Sequence, residues 1–123
     1  MILVLDDLAS RHRVFKKIHP TVVCVSTKDD CVEILKEKII DILYLDHDLE
    51  KSGKNTRSWN YPNSGSALVE WMCVNFPIVK KVVIHTSNRL RAPDMLAKLK
   101  DAGYAAEIHT YTAIRDNEKS KNN

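Results

Sequence analysis

Four stretches of this sequence combine carboxylates, imidazoles and hydroxyls of the kind that handle metal ions and phosphate: Asp6-Asp7, Asp46-His47-Asp48, His85-Thr86-Ser87-Asn88 and His109. Were Asp6, Asp7, Asp46 and Asp48 to converge, four carboxylates would repel one another unless a hard divalent cation neutralised them. Mg2+ (or Mn2+) prefers carboxylate oxygen and water as ligands. Histidines in such a pocket titrate near neutral pH, so His47, His85 or His109 can give a proton to a leaving alkoxide or take one from water. Thr86, Ser87 and Asn88 add donors for phosphate oxygens. Each group has a plainer reading on its own. Asp6-Asp7 would suit a helix cap, His47 a surface turn, and His85 and His109 the interior of any fold.

The elements around these stretches decide whether they can meet. Ile2 to Leu5 is a short apolar run closed by Asp6-Asp7, the pattern of a strand buried on both faces of a parallel sheet. Val22–Val25, Asp41–Leu45, Val82–Ile84 and Tyr104–Ile108 repeat that pattern, and the third, fourth and fifth of these five strands also end in acid or imidazole. Between them lie helical patterns: Ser10–Ile18 stopped by Pro20, a helix after Asp29-Asp30 carrying Cys31, Ile34 and Leu35, Gly65–Phe76 stopped by Pro77, and Pro93–Ala102 stopped by Gly103. Thr110 to Arg115 starts a last short helix, and residues 116–123 read as a polar tail that frays. The alternation predicts an α/β fold, a five-stranded parallel sheet with helices on both faces and right-handed crossovers, of the flavodoxin-like kind. In open sheets of this type ligands bind beyond the carboxyl ends of the strands, which is where all four stretches lie.

Composition sets the limits. A chain of 123 residues supports one hydrophobic core, so residues 1–115 are expected as a single domain with an inserted loop at about 50–64 and the tail at 116–123. The net charge of +3 comes from dispersed lysines and gives no reason to expect duplex DNA as a partner. No apolar run approaches the length that spans a bilayer, so no membrane association is expected. The odd set Cys24, Cys31 and Cys73 lacks zinc-ligand spacing and reads as free thiols of a cytoplasmic protein. His12 and His19, on or just after the first helix, receive no role.

The order Asp6-Asp7, then Leu45-Asp46, then Thr86-Ser87 along a five-stranded alternating chain resembles the receiver domain of bacterial two-component response regulators, over nearly the whole length. That resemblance implies magnesium held by Asp6, Asp7 and Asp46, phosphoryl transfer to Asp46, and a phosphoryl contact from Thr86. The lysine that such receivers carry after strand five is missing, because His109-Thr110-Tyr111 stands there. Three further departures are the Asp46-His47-Asp48 triplet, His85 before the threonine, and the insertion. Together they resemble the receiver-derived group associated with processing cyclic phosphates, in which Asp-His-Asp and His-Thr-Ser-Asn motifs replace the signalling apparatus.

From these residues a metal-dependent phosphoesterase acting on the cyclic phosphate of a nucleotide or an RNA end is expected. His47, His85 and Asp46 would form its catalytic set, Thr86, Ser87, Asn88 and His109 its phosphate contacts, and Asp6, Asp7, Asp46 and Asp48 its metal ligands. Trp59 and Tyr61 in the insertion would either stack on a base or pack the loop onto the domain. Two alternatives stay open, a protein that sequesters a cyclic nucleotide without turnover and a signalling receiver phosphorylated on Asp46.

Overall fold

A computed structural model describes residues 1–49 and 62–121, the last five by their backbone alone. The expected insertion and its Trp59 and Tyr61 therefore lie outside the described residues, apart from the returning end at 62–64. In chain order the elements are β1 (Ile2–Leu5), α1 (Ala9–Ile18), β2 (Val23–Val25), α2 (Lys28–Glu37), β3 (Ile42–Leu45), α3 (Gly65–Asn75), β4 (Val82–Ile84), α4 (Arg91–Asp101), β5 (Ala106–Ile108) and α5 (Tyr111–Lys121). All five strands pair in parallel in the order β2-β1-β3-β4-β5. This is the expected sheet, with its order reversing between β1 and β3.

Strand residues alternate between faces, and the two faces have separate cores. Leu3, Leu5, Leu43, Leu45, Val82 and Ile84 pack under α2, α3 and α4, against Cys31, Leu35, Leu68, Met72, Met95 and Leu99. Val4, Tyr44 and Val83 face the other way, against Phe15 of α1 and Ile114 of α5. Strands sandwiched in this way must be apolar at every position, which accounts for the unbroken runs in the sequence. Cys31 is fully buried, while Cys24 and Cys73 are only partly so, and all three are free thiols.

Local chemistry fixes the helix starts. Thr27 caps α2 by accepting from the Asp30 N–H at 3.2 Å, and Ser64 caps α3 by accepting from the Ala67 N–H at 3.1 Å. α4 begins at Arg91, two residues before the expected Pro93. Asn88 Oδ1 accepts from the Leu90 and Arg91 N–H groups, both at 3.1 Å, and a proline in the first turn removes only an N–H that has no intrahelical partner.

Two further boundaries differ from expectation. Tyr104 closes the turn that follows α4 and does not join β5, because its N–H donates to the Leu99 carbonyl at 2.9 Å after the left-handed Gly103. The last helix does not stop at Arg115 but continues through the expected tail to Lys121. Thr110 Oγ1 accepts from the Ala113 N–H at 3.0 Å to start it, buried Ile114 anchors it, and no glycine or proline interrupts it. No helix among the described residues is long and apolar enough to cross a membrane.

Candidate functional site

The register of the sheet builds the site. Leu5 pairs with Leu45, and Leu45 with Ile84, so the next residues, Asp6, Asp46 and His85, form one row across three adjacent strands. The ladder carries one step past the strands to hold that row. The Asp6 N–H donates to Val25 O (3.1 Å), Asp46 N–H to Leu5 O (3.0 Å) and His85 N–H to Leu45 O (3.0 Å). By alternation all three side chains project to the α1/α5 face, where Phe15 lies 5.5 Å from the His85 ring. Asp6, Asp46 and His85 are all buried.

Burying charge demands partners. The Asp6 Oδ2 atom lies 2.8 Å from His85 Nε2 and 3.3 Å from Arg11 Nη1, and its Oδ1 accepts from the Leu8 N–H at 3.0 Å. Burial alone would raise the Asp6 carboxyl, but the His85 hydrogen bond, the Leu8 N–H and the positive charges of His85 and Arg11 outweigh it and hold Asp6 below the ordinary aspartate value. Asp46 is served less well. Desolvation, helped by the charge of Asp6, pushes its carboxyl up to about 6, against the opposing pull of His85, a hydrogen bond from Thr86 and Arg11. The Arg11 guanidinium stands 3.8 Å from Asp46 Oδ2. One carboxyl of the row is thus incompletely neutralised by the chain itself.

Oxygens of Asp6, Asp7 and Asp46 lie within 4.8 Å of one another. That spread suits the coordination sphere of one small hard cation, for which ligand bonds of about 2.0–2.1 Å are usual. The donor set is all oxygen, and Asp46 lacks sufficient compensating charge, so these residues fit a divalent ion. Asp48 is not brought into this group. Alternation from Asp46 would return it to the same face, but the chain has already turned to form an antiparallel bridge between Asp48 and Ser64. Its carboxylate sits 3.5 Å from Asn88 Nδ2 and 3.8 Å from His47 Nε2.

His47 follows Asp46 and so faces the other side of the sheet. It is fully buried, and its Nδ1 accepts from the Ser66 N–H at 3.3 Å and lies 2.8 Å from Ser66 Oγ. This hold depends on α3 starting hard against β3. The Gly65 N–H donates to the His47 carbonyl at 2.9 Å, and a Cβ on Gly65 would stand 2.2 Å from the Asp46 carbonyl oxygen. Only glycine fits there.

Thr86 reaches Asp46, and its Oγ1 accepts from the Asn88 N–H at 3.1 Å. Ser87 is exposed. His109 is not drawn into the row. It sits beyond the edge strand, 46% exposed, with Nε2 3.2 Å from Glu107 Oε1.

Two residues of α1 join the site without having been expected there. Arg11 bridges Asp6 and Asp46 while its guanidinium lies over the Tyr111 ring, 4.8 Å from the centroid. His12 Nε2 lies 2.5 Å from the Asp6 carbonyl oxygen. Helix side chains lean toward the N-terminus, so a basic residue in the first turn after Asp6-Asp7 points back at those acids. That was the available signal. Arg11, Thr86, Ser87, Arg89 and Tyr111 also line an open cleft of about 500 Å3, with His85 at its inner end.

Comparison with known proteins agrees with this geometry. Residues 1–101 match the family model described as the cyclic-phosphate processing receiver domain. Among solved structures, a signal receiver domain from Vibrio parahaemolyticus superimposes with a TM-score of 0.61 at 16% identity, over 98% of this chain and 93% of that one. A CheY-like response regulator receiver domain protein from Methanospirillum hungatei gives 0.59 at 16% identity, over 98% and 90%. At such identity the likeness is one of fold. No match to a curated protein was found.

Proposed function

Because this chain belongs to the family of cyclic-phosphate processing receiver domains, we propose that it is a metal-dependent phosphoesterase that opens a cyclic phosphate of a nucleotide or an RNA end. The observation carrying this reading is the row Asp6, Asp46 and His85, in which an imidazole stands 2.8 Å from one of two buried carboxylates. Storing a phosphoryl group on an aspartate needs no acid-base pair, whereas hydrolysis of a phosphodiester needs groups that hold and move protons. No lysine follows β5 to pair with an aspartyl phosphate, since His109 and Thr110 stand there.

Asp6, Asp7 and Asp46 would hold Mg2+ or Mn2+, which would supply charge neutralisation and polarisation of a phosphoryl oxygen. The chain's own residues divide the remaining work. Thr86, whose hydroxyl hydrogen-bonds Asp46 in the free protein, would turn to donate to a phosphate oxygen when the ligand is bound, with Ser87 and Asn88 adjacent. Asp6 orients His85 through Nε2. His85 Nδ1 is buried and has no hydrogen-bond partner among the described residues, so it is available to exchange a proton with the reacting ester. His47, expected as a catalytic residue, is fully buried and held by Ser66 on the opposite face of the sheet, out of reach of a substrate at the row. His109, exposed at the rim, would contact phosphate only from outside the row.

The test is product analysis after incubating the protein and Mg2+ or Mn2+ with cyclic mono- and dinucleotides and 2′,3′-cyclic-phosphate oligonucleotides. New phosphomonoester supports the reading. Tight binding of unchanged ligand selects sequestration instead, and labelling of Asp46 by acetyl phosphate selects signalling. In the enzyme, His85→Gln should lower turnover on the order of 10²- to 10⁴-fold while ligand affinity stays within a few-fold. Intact turnover with reduced stability would make His85 structural and refute its proton-transfer role.

A further inference from the structure

The cleft of about 500 Å3 beyond His85 extends well past the reacting row, between the start of α4 and the start of α5. Its volume is that of a small-molecule site and exceeds what one phosphate needs. The lining is chemically one-sided. Among the described residues that line it, Arg11 and Arg89 carry charge, Thr86, Ser87, Thr110 and Thr112 bring hydroxyls, and none is acidic. Ala92, Pro93 and Ile108 form an apolar wall. Arg11 is committed to Asp6, Asp46 and the Tyr111 ring. Arg89 is exposed and has no acidic partner among the described residues, although neighbouring Arg91 is paired with Asp94 at 3.5 Å. A guanidinium left free over a cleft lined with hydroxyls recognises a second anion.

We propose that this cleft binds a second phosphate of the ligand through Arg89, so that the preferred substrate carries two phosphates separated by one nucleoside. The reacting phosphate sits at Thr86 and Asp46, the sugar lies along Ala92, Pro93 and Ile108, and the distal phosphate meets Arg89 with Thr110 and Thr112 beside it. This rests on the reading of the row as the reaction centre, and it specifies the substrate as a 5′-phosphorylated nucleoside cyclic phosphate or the end of an oligonucleotide, which share that chemistry. A nucleoside cyclic phosphate with no second anion is the poorer ligand.

Calorimetric titration in Mg2+ with adenosine 3′,5′-bisphosphate and with adenosine 3′-monophosphate tests the proposal apart from turnover, because neither ligand has a cyclic ester to open. The bisphosphate should bind about tenfold tighter or more, the scale of one charge-assisted hydrogen bond. That preference should fall to within twofold in Arg89→Ala and persist in Arg91→Ala. Equal affinity for the two ligands, binding of neither, or a preference that survives Arg89→Ala overturns the proposal. An Arg89-dependent preference in a protein that hydrolyses nothing keeps the cleft assignment and rejects the hydrolase reading instead. Repeating the titration with a dinucleotide 3′-monophosphate separates the two sources. A preference that equals the bisphosphate's and depends on Arg89 points to an oligonucleotide end, and its absence restricts the ligand to a terminal 5′-phosphate.

Discussion

Asp46→Asn should make the metal-free protein more stable, and by an amount that depends on pH. The wild-type carboxyl is buried and pushed from the ordinary aspartate value of 3.8 up to about 6. Below both values the group is protonated in the folded and unfolded states and costs nothing. Between them the unfolded chain gives up its proton while the folded one keeps it, so stability falls as pH rises. Above about 6 the full penalty of burying the anion is present. At ~1.4 kcal/mol for each pH unit of difference, that penalty is about 3 kcal/mol. An amide of the same shape escapes it and can still accept from Thr86. Urea denaturation in chelator at pH 4, 6 and 8 should show the mutant's advantage small at the first and about 3 kcal/mol at the last. Adding Mg2+ should stabilise the wild type, by about 2.7 kcal/mol at a hundredfold excess over Kd, and stabilise the mutant far less. A mutant advantage independent of pH, or a mutant less stable at pH 8, would refute the reasoning that Asp46 is an under-neutralised buried acid.

Gly65→Ala should cost about 3 kcal/mol or more in thermal or chemical denaturation, because a Cβ would meet the Asp46 carbonyl oxygen at 2.2 Å and the His47 Cα at 2.8 Å, backbone atoms that cannot swing aside. Wild-type stability in that variant would mean that α3 does not press on the end of β3. Thr27→Ala should cost about 1 kcal/mol by removing the cap on α2, measured by the same denaturation and with no effect on Mg2+ response, since α2 lies on the face away from Asp6 and Asp46.

Much of the site was legible in the sequence because its rule is simple. Apolar runs of three to five residues that end abruptly in Asp or His place those residues at the carboxyl edge of a parallel sheet, and the register then aligns Asp6, Asp46 and His85 without further information. Asp48 was misplaced because alternation assumes a continuing strand, whereas the chain turns at the Asp48 to Ser64 bridge. The reach of Ser66 to His47 across nineteen positions depends on how closely α3 approaches, and only Gly65 hinted at that. Arg11 resembled the other basic residues of a solvated helix face, and its role emerges from the direction in which a first-turn side chain leans. The continuation of α5 past Arg115 escaped a composition argument because polar residues form helices readily once one end is anchored, here by Ile114.

The most direct test of the account is phosphorus NMR of a 5′-phosphorylated nucleoside 2′,3′-cyclic phosphate incubated with the protein and Mg2+ in water enriched in heavy oxygen. The cyclic phosphate signal should be replaced by that of a phosphomonoester carrying one heavy oxygen. That conversion should be lost with chelator and in Asp46→Asn. A cyclic phosphate that persists unchanged beside wild-type protein, while acetyl phosphate labels Asp46, would contradict the hydrolase and leave a phosphoacceptor receiver in its place.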